Sequence, residues 1–164
     1  MRSILSAILL LALAAPAAAQ QVVFVVRHAE RADTDAGGAA MMTTDPDLSA
    51  AGKARAEALA TMLKDARIAA IYTTQYKRTK QTAEPLAKAL GLTPVEVNSR
   101  DVAGVIEKLK TGENAMIVGH SNSVGAIIEQ LGVPEPVALT DDEYDNLFIV
   151  VRGEKPTLVR LHFR

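Results

Sequence analysis

Five consecutive apolar residues, Val22-Val23-Phe24-Val25-Val26, run directly into Arg27-His28-Ala29-Glu30. A stretch of β-branched and aromatic residues of this length reads as a buried strand. In an open α/β sheet, ligands bind outside the C-terminal ends of strands. An imidazole beside a guanidinium at such an edge suits phosphoryl chemistry. His28 can act as a nucleophile, and Arg27 can hold an anionic oxygen.

The segments that follow alternate between strand and helix. Positions 31–47 hold Asp33, Asp35, Gly37-Gly38, Asp45 and Pro46, the composition of a surface loop. An Ala-rich helix follows Leu48-Ser49, with Ala54, Ala58, Leu59, Met62 and Leu63 as its expected apolar face. Ile68 to Tyr72 is a short apolar strand. Lys77 to Leu90 is a second helix, stopped by Gly91. Pro94 to Val97 is a third strand, placed near an edge by its proline. Asp101 to Lys110 is a third helix with Asp101 as N-cap. Ala115 to Val118 is a fourth strand, followed by Gly119-His120-Ser121-Asn122 and a helix through Leu131. Leu147 to Arg152 and Thr157 to Phe163 form a hairpin around Gly153-Glu154-Lys155-Pro156. Such alternation implies an α/β fold with a mainly parallel sheet flanked by helices. The hairpin adds an antiparallel edge.

The first 19 residues stand apart. Arg2 gives a positive start, Ile4 to Ala15 is almost uninterruptedly apolar, and Ala17-Ala18-Ala19 supplies small residues for cleavage. This is the pattern of a secretory signal peptide. The run is shorter than the roughly 20 residues needed to span a bilayer. The expected organisation is a leader over 1–19 and one domain over 20–164, with the bacterial periplasm as the preferred compartment and no stable membrane insertion after cleavage. The chain's formal net charge is −1, and losing Arg2 makes it one unit more negative. A nucleic-acid partner would call for a basic surplus instead. There is no cysteine, which excludes disulfides, thiol nucleophiles and cysteine metal sites. Three histidines, with His162 isolated in the final strand, argue against a metal enzyme, so neither metal nor other cofactor is expected.

Two further segments match the first. Tyr72 to Ala83 places Arg78 in the first turn of a helix that follows a strand. Helix N-termini attract phosphate, and an arginine adds a bidentate donor. A solvated basic turn of Lys77, Arg78 and Lys80 is the plainer reading of that segment alone. Met116 to Asn122 again runs strand, tight turn, helix. Gly119 permits close backbone approach, and His120 falls at the same sheet edge as His28. By itself His120 could equally be a core or capping histidine. Together, the three segments would enclose a phosphoryl group between two imidazoles and two guanidiniums.

With these motifs the chain resembles the histidine phosphatase superfamily, which includes the cofactor-dependent phosphoglycerate mutases and the acid phosphatases. Arg27-His28-Ala29-Glu30 is similar to the family's Arg-His-Gly motif, with alanine in place of glycine. Arg78 to Ala83 resembles its second motif, and Gly119-His120 its second histidine. The resemblance covers about Val22 to Leu131 and implies the three-layer α/β/α fold of the phosphoglycerate mutase-like branch. It also implies a metal-independent phosphatase acting through a phosphohistidine on His28. Arg27, Arg78 and His120 would stabilise the transferring group. The backbone N–H groups of Ser121 and Asn122 would point at it, with Thr82 a weaker candidate. The nucleophilic nitrogen must be unprotonated, so the other ring nitrogen of His28 should donate to a carbonyl or carboxylate.

The proton donor for the leaving group is less clear in the sequence. Ser121 stands where some members carry an aspartate after the second histidine. Asp101 is the candidate general acid, although N-capping is the plainer account of it; Glu30, Glu96 and Asp33 are others. The expected partner is a phosphorylated small molecule or phosphoprotein. Mutase activity is disfavoured, since the 31–47 loop offers only Arg31 as an added cation, with Arg100 near the third strand. Two rival functions remain: a non-catalytic phosphate-ligand binder of the cell envelope, and an envelope interaction protein with a vestigial pocket. The acidic stretch Thr140-Asp141-Asp142-Glu143-Tyr144-Asp145 would be that protein's partner surface or a calcium ligand, or else a solvated loop.

Overall fold

The computed structural model describes residues 20–33 and 45–163. The leader and most of the first loop therefore lie outside the described residues. Ten elements follow in order: β1 (Gln21–Arg27), α1 (Ala50–Leu63), β2 (Ile68–Thr74), α2 (Lys77–Leu90), β3 (Val95–Val97), α3 (Val102–Glu107), β4 (Asn114–Gly119), α4 (Ser121–Gln130), β5 (Asn146–Arg152) and β6 (Thr157–His162). The six strands form one sheet in the order β3-β2-β4-β1-β5-β6. The first four run parallel, and β5 pairs antiparallel with both β1 and β6.

Helices cover both faces. On one side Leu59 and Leu63 of α1 and Leu86 of α2 pack on Phe24, Val26, Ile71 and Met116. On the other, Val105 of α3 and Val124, Ile127 and Ile128 of α4 pack on Val23, Val25, Ile117 and Phe148. Central strand β1 is buried on both faces, which explains its unbroken apolar run.

Local signals set most boundaries. Ser49 caps α1, its Oγ accepting from Gly52 N at 3.1 Å. Gly91 ends α2 in the left-handed conformation at φ 65°, and Leu92 N reaches back to Ala87 O at 2.9 Å. Pro94 immediately precedes edge strand β3. Asp101 caps α3.

Two elements depart from expectation. The buried stripe of α1 is Gly52, Ala56, Leu59, Ala60 and Leu63, whereas Ala54 and Met62 are exposed. Alanine occupies both faces and leaves the rotation underdetermined. Close packing of Gly52 against the Glu30 backbone, where a Cβ would collide with the carbonyl oxygen, helps set it. Helix α3 ends at Glu107 rather than Lys110. Its last turn tightens, with Leu109 N donating to Ile106 O at 3.1 Å, and a glycine interrupts its short span.

Candidate active site

Sheet order brings the three sequence motifs together. Arg27 at the end of β1 lies opposite Gly119 at the end of β4, and His28 N continues the ladder to Gly119 O at 3.0 Å. The next residue of each strand is a histidine. Their rings stand edge to face, with centroids 5.3 Å apart. On the far side of β4, β2 ends at Thr74 and leads into α2, whose first turn carries Arg78. Arg78 Nη2 lies 3.5 Å from His120 Nδ1.

The His28 ring has a defined orientation. Its Nδ1 lies 2.8 Å from Ala29 O, a carbonyl that can only accept. Nδ1 therefore carries the proton and Nε2 is left with its lone pair. Burial pushes the His28 pKa down to about 3, against the bond to Ala29, with the His120, Arg78 and Arg27 charges adding to the fall. His120 is pushed to about 4 by burial, then by Arg78 and Arg27. Both rings are neutral at ordinary pH. His120 Nε2 contacts Thr74 Oγ1 at 3.0 Å, which in turn meets Thr79 Oγ1 at 3.0 Å.

Each arginine is held in place. Arg27 donates from Nη1 to the carbonyls of Thr140 at 2.9 Å and Glu143 at 3.2 Å, and stacks on Tyr144 at 4.0 Å. Arg78 stacks on Tyr76 at 4.3 Å and faces Asp45 at 3.8 Å. The Nε–H groups of both are buried without a hydrogen-bond partner among the described residues. A buried orphan donor costs about 1–3 kcal/mol. The two guanidinium groups line one cleft with the imidazole pair, a setting that suits an anionic oxygen. The surrounding cleft, about 410 Å³, is lined by Arg27, His28, Arg31, Tyr76, Arg78, Ser99, Arg100, His120, Ser121, Asn122 and Asp141. Four arginines against one carboxylate fit an anionic ligand. Ser121 and Asn122 open α4, where backbone N–H groups lack intrahelical acceptors.

A family model described as "Histidine phosphatase superfamily (branch 1)" matches residues 23–101. Over that segment the chain is similar to the superfamily. The matched segment carries Arg27, His28 and Arg78. His120 lies beyond it, and its place beside His28 comes from the β1–β4 pairing. Solved structures with the same fold include SixA of Agrobacterium tumefaciens, at 20% identity over 85% of this chain and 97% of that one, with a TM-score of 0.62. The protein histidine phosphatase SixA complexed with tungstate matches at 18% identity over 86% and 96%, TM-score 0.59. A mycobacterial glucosyl-3-phosphoglycerate phosphatase matches at 14% over 88% and 100%, TM-score 0.64. No curated protein matches the chain by sequence.

The remaining candidates divide clearly. Thr82 supports the site from beneath, accepting from Ala29 N at 2.9 Å and donating to Arg78 O at 2.7 Å. Asp101 is absent from the cleft lining, and its carboxylate accepts from Gly104 N at 2.8 Å as the α3 cap. Glu30 is bound to Arg55 at 2.6 Å, Asp33 to Arg31 at 2.8 Å and Glu96 to Lys80 at 2.7 Å. Burial works to raise Glu30, but the hydrogen bonds and charge of Arg55 hold it below the usual carboxylate range. His162 contacts Asp145 at 3.2 Å. No group of three or more His, Asp or Glu side chains able to hold a metal occurs among the described residues, and no helix there is long and apolar enough to cross a membrane.

Sequence reasoning gave no role to Tyr76, Ser99 or Asp141 in the cleft, or to Tyr144 stacked on Arg27. Tyr76 had a usable signal, as it sits two residues before Arg78 at the helix start. The others arrive through long-range packing that no local pattern reports.

Proposed function

We propose that this protein is an exported, metal-independent phosphatase that hydrolyses phosphomonoesters or related phosphoryl compounds through a phosphohistidine on His28. The observation that carries this reading is the fixed His28 ring, with Nδ1 bound to Ala29 O and Nε2 left with its lone pair, in a cleft also lined by Arg27, Arg78 and His120. Similarity over residues 23–101 to a superfamily of histidine phosphatases supports the activity. Export rests on the leader-like pattern of residues 1–19.

In the first step, the His28 Nε2 lone pair attacks phosphorus and the bond to the leaving oxygen breaks. Water then attacks the phosphohistidine, releasing phosphate and restoring the ring. Splitting the reaction in this way replaces one high barrier with two lower ones. Arg27, Arg78 and His120, with the Ser121 and Asn122 N–H groups, stabilise charge on the equatorial oxygens. These donors are fixed before reaction, so little reorganisation is needed. The tungstate bound to the SixA neighbour is the kind of oxyanion such a pocket would take.

The test is hydrolysis of p-nitrophenyl phosphate by the mature protein in EDTA, beside His28→Ala. Turnover that survives chelation and vanishes in the variant is expected. Phosphate binding without turnover, in either protein, would support a non-catalytic phosphate binder instead.

A further inference from the structure

Phosphomonoester hydrolysis needs a proton on the departing oxygen unless the leaving group is already a good one. We propose that Asp141 supplies it. This assignment rests on the phosphatase reading above.

Among the described residues, Asp141 is the only carboxylate lining the cleft that contains His28 and His120. The carboxylates weighed from the sequence have other partners: Asp101 caps a helix, Glu30 pairs with Arg55, Asp33 with Arg31 and Glu96 with Lys80. Within the 140–145 segment the neighbours of Asp141 are occupied as well. Asp142 accepts from Thr140 Oγ1, Glu143 binds Thr140 N at 2.7 Å and Arg160 at 2.7 Å, and Asp145 contacts His162. No bond involving the Asp141 side chain is found among the described residues.

The segment is built onto the site. Carbonyls of Thr140 and Glu143 accept from Arg27, and Tyr144 covers the Arg27 guanidinium with its ring centroid 6.0 Å from that of His28. Asp141 is thus carried on a turn anchored to the residue expected to hold the phosphoryl group.

The steps balance. As His28 Nε2 forms the N–P bond and the P–O bond breaks, the leaving oxygen takes both the bonding electron pair and the Asp141 proton. Asp141, now a carboxylate, takes a proton from the attacking water. The new P–O bond forms, the N–P pair returns to Nε2, and Asp141 regains its acid form.

The experiment compares wild-type protein, Asp141→Asn and Asp141→Glu on p-nitrophenyl phosphate and β-glycerophosphate, with folding checked by thermal melt. Asp141→Asn should lower kcat for the alkyl ester by about 10²–10⁴-fold while leaving the aryl ester and both KM values nearly unchanged. Asp141→Glu should recover part of the loss. Equal effects on both esters, no effect, or a change confined to KM would overturn the assignment. A wild-type enzyme that turns over only the aryl ester would overturn it too. Failure of the phosphatase reading itself would look different: no His28-dependent hydrolysis of either ester by the wild type.

Discussion

Thr82 Oγ1 accepts a hydrogen bond from Ala29 N at 2.9 Å while donating to Arg78 O at 2.7 Å. One fully buried hydroxyl thus ties the turn that orients His28 to the helix turn that carries Arg78. Two segments about 50 residues apart are held in register by a single oxygen.

Thr82→Val keeps the shape but removes that oxygen. It leaves the buried Ala29 N–H unpaired, which costs about 1–3 kcal/mol. Chemical denaturation should read that loss, and kcat on p-nitrophenyl phosphate should fall with it. Thr82→Ser should restore both. A valine variant as stable and as active as wild type would show that the bridge does not matter.

Acid should destabilise the fold earlier than carboxylate titration alone would. His28 and His120 are lowered to about 3 and about 4 by burial and nearby positive charge. In the unfolded chain both return to about 6.5. Between these values the unfolded state binds more protons, so stability rises with pH. Their contribution is complete above about pH 6.5 and is lost as pH falls toward 4 and then 3. Each histidine adds up to about 1.4 kcal/mol per pH unit within its window. Urea unfolding at pH 7 and pH 4.5 checks this, with His120→Asn giving a shallower dependence. Equal stability at the two pH values would contradict the burial of neutral rings.

Arg55 tests the wall behind the site. It donates to Glu30 from Nε and Nη2, and to Phe163 O from Nη1 at 2.8 Å. The pair is largely shielded, with side chains 20% and 16% exposed. Arg55→Ala should cost about 1–3 kcal/mol by leaving Glu30 and a carbonyl unpaired. Vanadate affinity should stay near wild type, because Arg55 does not line the cleft. A thermal melt matching wild type would show the pair to be idle.

Much of this was legible in the sequence because it is written locally. Val22 to Val26, the Gly91 stop, the Pro94 edge strand and the 147–163 hairpin are short-range patterns that survive folding unchanged. Arg27, His28, Arg78 and His120 were legible because each ends a strand or opens a helix, and parallel strands gather such positions at one edge. The rotation of α1 was not, since alanine on every face gives no signal and the decisive contact, Gly52 against Glu30, is tertiary. Nor was the role of the 140–145 segment. Its composition is that of a solvated loop, and what folds it over the site is long-range, including the bonds from Arg27 to Thr140 O and Glu143 O, 113 and 116 residues away.

The central claim is that phosphoryl transfer passes through His28. Rapid mixing of the protein with ³²P-labelled substrate, followed by an alkaline quench and peptide mapping, tests it directly. The account predicts label on the peptide holding His28, stable to base, released by acid, and absent from His28→Ala. Turnover with no trapped label, or label that survives acid on another residue, would contradict it.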